Sequence, residues 1–139
     1  TAMEVAGAPA LVLHGDTLCT DDTDYQQFRA LAHSPDWQAE MMKKSIGERR
    51  ELALQLRALS IDAASNKPED IMDVNAAAVA KLMSDHGVAT VIHGHTHRPA
   101  RHTLASGERI VLGDWTDQQG WLLRENGGDL SLEHFSLSH

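Results

Sequence analysis

Three histidines separated by single residues close the run Thr90-Val-Ile-His-Gly-His-Thr-His-Arg-Pro99. Neutral imidazole is the commonest protein ligand for transition metals. Residues two apart in extended backbone share a side, so His95 and His97 are expected to aim at one cavity. Gly94 lets the backbone approach that cavity with no side chain in the way. A lone His-x-His is more often a polar loop; three histidines, an intervening glycine and a leading apolar run favour a metal site. A second apolar run ends in Leu13-His14-Gly15-Asp16 and delivers another histidine in the same manner, although Gly15 and Asp16 are also ordinary turn residues. Two other groups could do chemistry. Cys19 would need a nearby base or positive end to form thiolate, and the expectation is a cysteine without a chemical role. Lys67 could neutralise a phosphate, whereas most surface lysines are simply solvated.

Positioning such groups takes strands whose carboxyl ends meet. Val91 and Ile92 are β-branched and run into Gly94, the mark of a buried strand entering an irregular loop. Residues 5–13 read as two strands joined near Gly7 and Ala8. Their apolarity approaches that of a signal-peptide core, but no basic residue precedes them and a charged motif follows. Residues 24–60 predict two or three helices with a break at Ser34-Pro35. Tyr25, Phe28, Leu31 and Ala32 form one stripe. Trp37, Met41, Met42 and Ile46 form a second among Lys43, Lys44, Arg49 and Arg50, and Leu52, Leu56 and Leu59 continue at helical intervals. Such periodicity ordinarily means helices packed on a sheet. Soft Met and Trp side chains beside a basic cluster also suit a lid over acyl chains and anionic head groups.

Ser60 to Pro68 is expected to be a polar loop, and 68–86 a helix started by Pro68-Glu69-Asp70 and stopped by Gly87. Ile71, Val74, Ala78, Leu82 and Met83 supply its apolar stripe. With the strand after it, this is a helix-then-strand unit of an α/β protein. Short strands are expected at 102–104, 109–112, 120–124 and 130–135. Asn126-Gly127-Gly128 would turn the last two into an antiparallel ribbon that closes the sheet. His134 and His139 read as structural or terminal.

The chain has 139 residues, the size of one domain, and a 42% hydrophobic share that supports a buried core. No run approaches the roughly 18 apolar residues of a membrane span. A net charge of −8 argues against nucleic-acid binding, which relies on clustered Lys and Arg. A single cysteine allows no internal disulfide, so a reducing, cytoplasmic compartment is expected.

Gly94-His95-Thr96-His97 resembles the closing Gly-His-x-His motif of the calcineurin-like metallophosphoesterases, and His14 matches the ligand histidine that precedes it. Within that superfamily the resemblance sharpens. His14-Gly-Asp-Thr-Leu-Cys-Thr-Asp-Asp22, Tyr25, Phe28-Arg29, Ile71-Met-Asp-Val-Asn75, Ile92 to Pro99 and Val111-Leu-Gly-Asp-Trp115 are together similar to the diphosphatases acting on UDP-2,3-diacylglucosamine in bacterial lipid A synthesis. This similarity runs nearly the length of the chain. It implies an α/β fold: part of a metallophosphoesterase β-sandwich flanked by helices, with a helical cap inserted at about 24–60. It further implies two divalent cations, with Mn2+ expected, and a water that attacks the pyrophosphate to give UMP and 2,3-diacylglucosamine 1-phosphate. His14 and His95 would serve one metal and His97 the other, with His93 behind them. Asp22, Ser60, Lys67 and His95 match substrate contacts, and the protein would lie peripherally on the cytoplasmic face of the inner membrane. Ala64 departs from the family, which commonly has asparagine there, leaving Ser65 or Asn66 to replace that contact.

Three histidines cannot complete two metal shells. The superfamily's other ligands come from Asp-x-His, Gly-Asp and Gly-Asn motifs in an earlier half. This chain has no Asp-x-His and no Gly-Asn, its Gly-Asp pairs at 15, 113 and 128 come too late, and it begins with Thr1. The expectation is a carboxyl-terminal half that needs a missing amino-terminal half as partner and turns over little substrate alone. Two other readings stay open: a non-catalytic metal- or lipid-binding remnant, and a related phosphodiesterase with another nucleotide substrate.

Overall fold

The computed structural model describes residues 1–65, 67–68 and 71–137, the side chains at 64 and 65 excepted. Those residues build a mixed α/β structure of seven strands and four helices. The chain divides into two compact units, residues 1–18 with 74–139, and residues 19–73.

In the first unit, β1 (Ala2–Val5) and β2 (Ala8–Leu13) form a hairpin, joined at Ala6-Gly7, one residue before the Gly7-Ala8 junction expected from the sequence. β3 (Thr90–His93), β4 (Ala100–Leu104) and β5 (Gly107–Val111) complete a five-stranded sheet in the order β1-β2-β3-β5-β4. β2, β3 and β5 run parallel, while β1 and β4 are antiparallel edges. The register sets Leu13 opposite His93 and His93 opposite Val111, so the parallel strands end level. Whatever follows Leu13 and His93 therefore emerges at one edge.

A helix, here α4 (Ala76–His86), covers one face. It begins at Ala76 rather than at Pro68, because Asn75 is the stronger start. The Asn75 side chain accepts the Ala78 N–H at 3.0 Å, and its own N–H donates to the Leu18 carbonyl at 2.8 Å. Residues 71–73 form a turn, and Glu69 and Asp70 lie outside the described residues. Gly87 ends the helix as expected, at φ 61°. Val79 and Met83 of α4 bury against Leu11, Leu18, Val88 and Val91. Asn75→Ala should leave an N–H unpaired and lower the stability of this unit by about 1 kcal/mol, read as a lower urea midpoint at unchanged slope.

The last two strands, β6 (Gln119–Asn126) and β7 (Asp129–Ser136), make a separate two-stranded sheet and do not extend the first one. The Gly127-Gly128 turn has positive φ at both positions, the geometry that matches the twist of a hairpin. The ribbon and the sheet are linked through side chains instead of a ladder: Arg101 of β4 grips Glu108 at 2.7 and 2.9 Å and donates to the Leu130 carbonyl of β7. Between ribbon and sheet runs a groove of about 430 Å³ lined by Met3, Val5, Ile92, Leu112, Trp121 and Leu122 among others.

The second unit holds three helices, α1 (Thr23–Ala32), α2 (Pro35–Lys43) and α3 (Ile46–Ser65). The Ser34-Pro35 break is where the sequence puts it. Ser34 accepts the Trp37 N–H at 3.3 Å, and Pro35 takes the first helical position, where no N–H is needed. α3 opens with a reciprocal cap in which the Ser45 N–H donates to Glu48 at 2.8 Å and the Glu48 N–H donates to the Ser45 hydroxyl at 3.3 Å. The Ser45 hydroxyl and N–H hold the Glu48 carboxyl below its ordinary range. α3 then runs through to Ser65, so Ser60 lies in a helix and not in the expected loop. No glycine or proline interrupts it there, and Ala63 and Ala64 are the best of helix formers. Met42, Ile46, Leu54, Leu59 and Ile61 are all more than half exposed. No described helix is long and apolar enough to cross a membrane.

Candidate functional site

His14 leaves β2 and His95 leaves β3 at the level edge of the parallel strands. The Gly94 N–H donates to the His14 carbonyl at 3.0 Å, which fixes the two backbones one hydrogen bond apart. The imidazoles meet edge to face, with ring centroids 4.9 Å apart and His95 Nδ1 at 3.2 Å from His14 Nε2. Two nitrogens bound to one cation at about 2.1 Å stand roughly 3 Å apart; here the same spacing is a hydrogen bond between the rings, so a cation would take the place of the shared proton.

His97 is placed differently. The backbone here is not extended as the alternation argument assumed: His95 has φ 67° and His97 φ 52°, both left-handed. The expectation that these two share a side by strand geometry therefore fails, and His97 is exposed. Among the described residues, no group of three or more His, Cys, Asp or Glu is arranged to hold a metal ion. The donors fit a transition metal in kind and in the spacing of one pair, but not in number.

His93 is 1% exposed and lies beneath the loop. Its Nδ1 is 2.9 Å from the Gly94 carbonyl, and its Nε2 is 3.4 Å from Nη1 of Arg109, itself buried. Arg109 was not among the residues singled out by the sequence. The signal was available, since an arginine two residues before Val111 in a β-strand must share that residue's face, and a cation there needs a polar neighbour.

In the second unit Asp22 and Lys67 come together. Lys67 Nζ is 2.5 Å from Asp22 Oδ1 and 3.7 Å from Asp24 Oδ2. Asp22 also caps α1 by accepting the Tyr25 N–H at 3.0 Å. The hydrogen bond that Lys67 donates to Asp22 raises its ammonium above the ordinary range, so Lys67 is a fixed cation and no base at neutral pH. The second carboxylate, Asp24, is an addition to the residues expected. Because the shift is upward, the stabilisation from Lys67 is complete below the unfolded lysine value and is lost as pH rises through the folded one. An alkaline melt of the chain should thus show a loss of stability that Lys67→Met removes.

Ser60 sits exposed on α3. Cys19 is buried with its thiol turned to the Met72 carbonyl at 3.7 Å. The side chains of Ala64 and Ser65, and Asn66 and His139 altogether, lie outside the described residues. His134 packs on Trp121 and bonds Gln119 at 2.9 Å.

The first unit is therefore an α/β structure that presents paired imidazoles at the carboxyl ends of neighbouring parallel strands. Proteins with this sequence pattern are known. The chain is 48% identical to the UDP-2,3-diacylglucosamine hydrolase of Cellvibrio japonicus, over 99% of this chain and 58% of that protein. It is 50% identical to that of Chromohalobacter salexigens, over 91% of the chain and 54% of the relative, and 43% identical to that of Escherichia coli O9:H4, over 96% and 57%. It is a homologue of the UDP-2,3-diacylglucosamine hydrolases along nearly its whole length, and it spans little more than half the length of these relatives. No family model matches the chain.

Proposed function

We propose that this chain is part of an enzyme that hydrolyses the pyrophosphate bond of UDP-2,3-diacylglucosamine, giving UMP and 2,3-diacylglucosamine 1-phosphate, in lipid A synthesis. The observation that carries the reading is the 48% identity to a hydrolase so named, over 99% of the chain. The proposed architecture is a calcineurin-like metallophosphoesterase β-sandwich to which these residues contribute the carboxyl-terminal part, residues 24–60 forming a cap. His14, His95 and His97 are proposed as metal ligands, with His14 and His95 on one ion. Their spacing of 3.2 Å supports that pairing. Two cations, Mn2+ in our proposal, supply charge for the phosphoryl oxygens and bring the ionisation of water near neutrality. The remaining ligands come from outside this chain.

Asp22, Ser60, Lys67 and His95 are proposed as substrate contacts. For Lys67 to meet a phosphate it must loosen its hold on Asp22, so Asp22 acts as the counter-ion that keeps the ammonium placed before substrate arrives. The exposed Met42 and Ile46, close in sequence to Lys43, Lys44 and Arg50, support a peripheral position at an anionic inner-membrane surface on its cytoplasmic side.

The absence of a three-donor group among the described residues favours a second reading, a non-catalytic metal- or lipid-binding remnant. Mixing the chain with the segment of the Cellvibrio relative that it lacks separates the two. Recovery of two bound Mn2+ ions with release of UMP supports the enzyme; no gain over the chain alone supports the remnant. Faster turnover of soluble nucleotide diesters than of the diacylated sugar nucleotide would defeat the substrate assignment.

A further inference from the structure

The loop that carries His95 and His97 holds two non-glycine residues in left-handed backbone, each at a cost of about 1–2 kcal/mol. Such conformations persist only where neighbouring groups dictate them, and one carbonyl in this loop is dictated from two sides. The Gly94 oxygen accepts the Thr96 N–H at 2.8 Å and lies 2.9 Å from His93 Nδ1. A carbonyl only accepts, so Nδ1 must carry the proton. Arg109 only donates, so Nε2 at 3.4 Å must be bare. The two contacts together select the Nδ1–H tautomer of a buried ring. Gly15 packs directly on the clamp: a Cβ there would stand 2.8 Å from His93 Nδ1 and 3.2 Å from the Gly94 oxygen. The Gly94 N–H in turn holds the His14 carbonyl.

We propose that His93, held in its Nδ1–H tautomer by Arg109, is a positioning residue: it locks the Gly94 carbonyl and so sets the facing geometry of the His14 and His95 rings. The value of that geometry for metal binding rests on the functional reading above; the geometry itself does not. Asparagine places an N–H where the imidazole has Nδ1, so His93→Asn keeps the clamp, while His93→Leu removes it at similar bulk. Arg109→Met leaves the ring without its tautomer constraint.

The test is NMR on this chain with isotopically labelled histidine. Nitrogen shifts of His93 are expected to report the Nδ1–H tautomer, and a nuclear Overhauser cross-peak is expected between the His14 and His95 rings. That cross-peak should persist in His93→Asn and fall at least several-fold in His93→Leu, with the amide signals of residues 119–136 unmoved. An Nε2–H tautomer in the unsubstituted chain overturns the proposal whether or not any variant folds, and so does an undiminished cross-peak in His93→Leu. Titration with Mn2+ alone then reads the consequence. Broadening of the two rings should need roughly 10- to 100-fold more Mn2+ in His93→Leu than in His93→Asn. If Mn2+ broadens neither ring even when the segment that the chain lacks is added, the metal assignment falls while the tautomer and cross-peak still decide the positioning role.

Discussion

His95→Ala, in the chain complemented with the segment of its relatives that it lacks, is expected to cut UMP release by more than about 100-fold and to weaken Mn2+ binding at least as much. The scale follows from what lesser changes do. Altering a group that only orients a metal ligand costs about 10- to 100-fold, and His95 is proposed as a ligand and a substrate contact at once. It is also one half of an imidazole pair held at 3.2 Å. Rate and metal content after dialysis should fall together. A variant that keeps both within a few-fold of the unsubstituted protein would remove His95 from the site. His97→Ala belongs to the same comparison, and a loss no larger than that of His93→Ala would take His97 out of the ligand set.

Gly107→Ala should be the most damaging substitution of a single methyl group in the sheet. Gly107 opens β5 at φ 138°, a conformation closed to L-residues, and an added Cβ would stand 2.0 Å from the Ala89 carbonyl oxygen. That oxygen is tied to the same strand, because it accepts the Glu108 N–H at 2.8 Å, so moving it away breaks a ladder hydrogen bond. The expected loss exceeds about 3 kcal/mol, a large part of the 5–15 kcal/mol that holds a domain of this size. Gly127→Ala is the internal control. It too has positive φ, 63°, but its Cβ would meet nothing within 4 Å, so only the left-handed backbone cost of about 1 kcal/mol is expected. Urea unfolding of the two variants side by side measures the difference, and a Gly107→Ala midpoint no lower than that of Gly127→Ala would contradict the register described here.

The strands that end in His14 and His93 were legible because β-branched runs breaking into Gly-rich loops leave few alternatives. The two Gly-bearing turns, at Gly7 and at Gly127-Gly128, were legible for the same local reason. What escaped was decided by competition or by distance in sequence. Pro68 and Asn75 are both good helix starts, and Asn75 wins through a hydrogen bond to Leu18 that no window of sequence contains. α3 overruns Ser60 because no glycine or proline stands between Ser60 and its end at Ser65. The pairing of His14 with His95 could be inferred from their common position at strand ends. Their left-handed loop could not, since His95 and His97 have no intrinsic reason to adopt it. Arg109 escaped because its partner lies on another strand, and the Asp22–Lys67 ion pair because 45 residues separate its members.

The Asn75–Leu18 bond has a consequence for how this protein tolerates change. The chain leaves the sheet unit at Leu18 and returns to it at Val74, so the exit and the re-entry are pinned one hydrogen bond apart. With its ends already closed, the intervening stretch is thermodynamically a loop, and each doubling of its length costs only about 0.6 kcal/mol. Insertions, deletions or wholesale replacement between those two points leave the exit and the re-entry of the sheet unit where they are. The helical excursion is in that sense a graft: it can diverge, or be exchanged by an engineer, at a rate the sheet does not set.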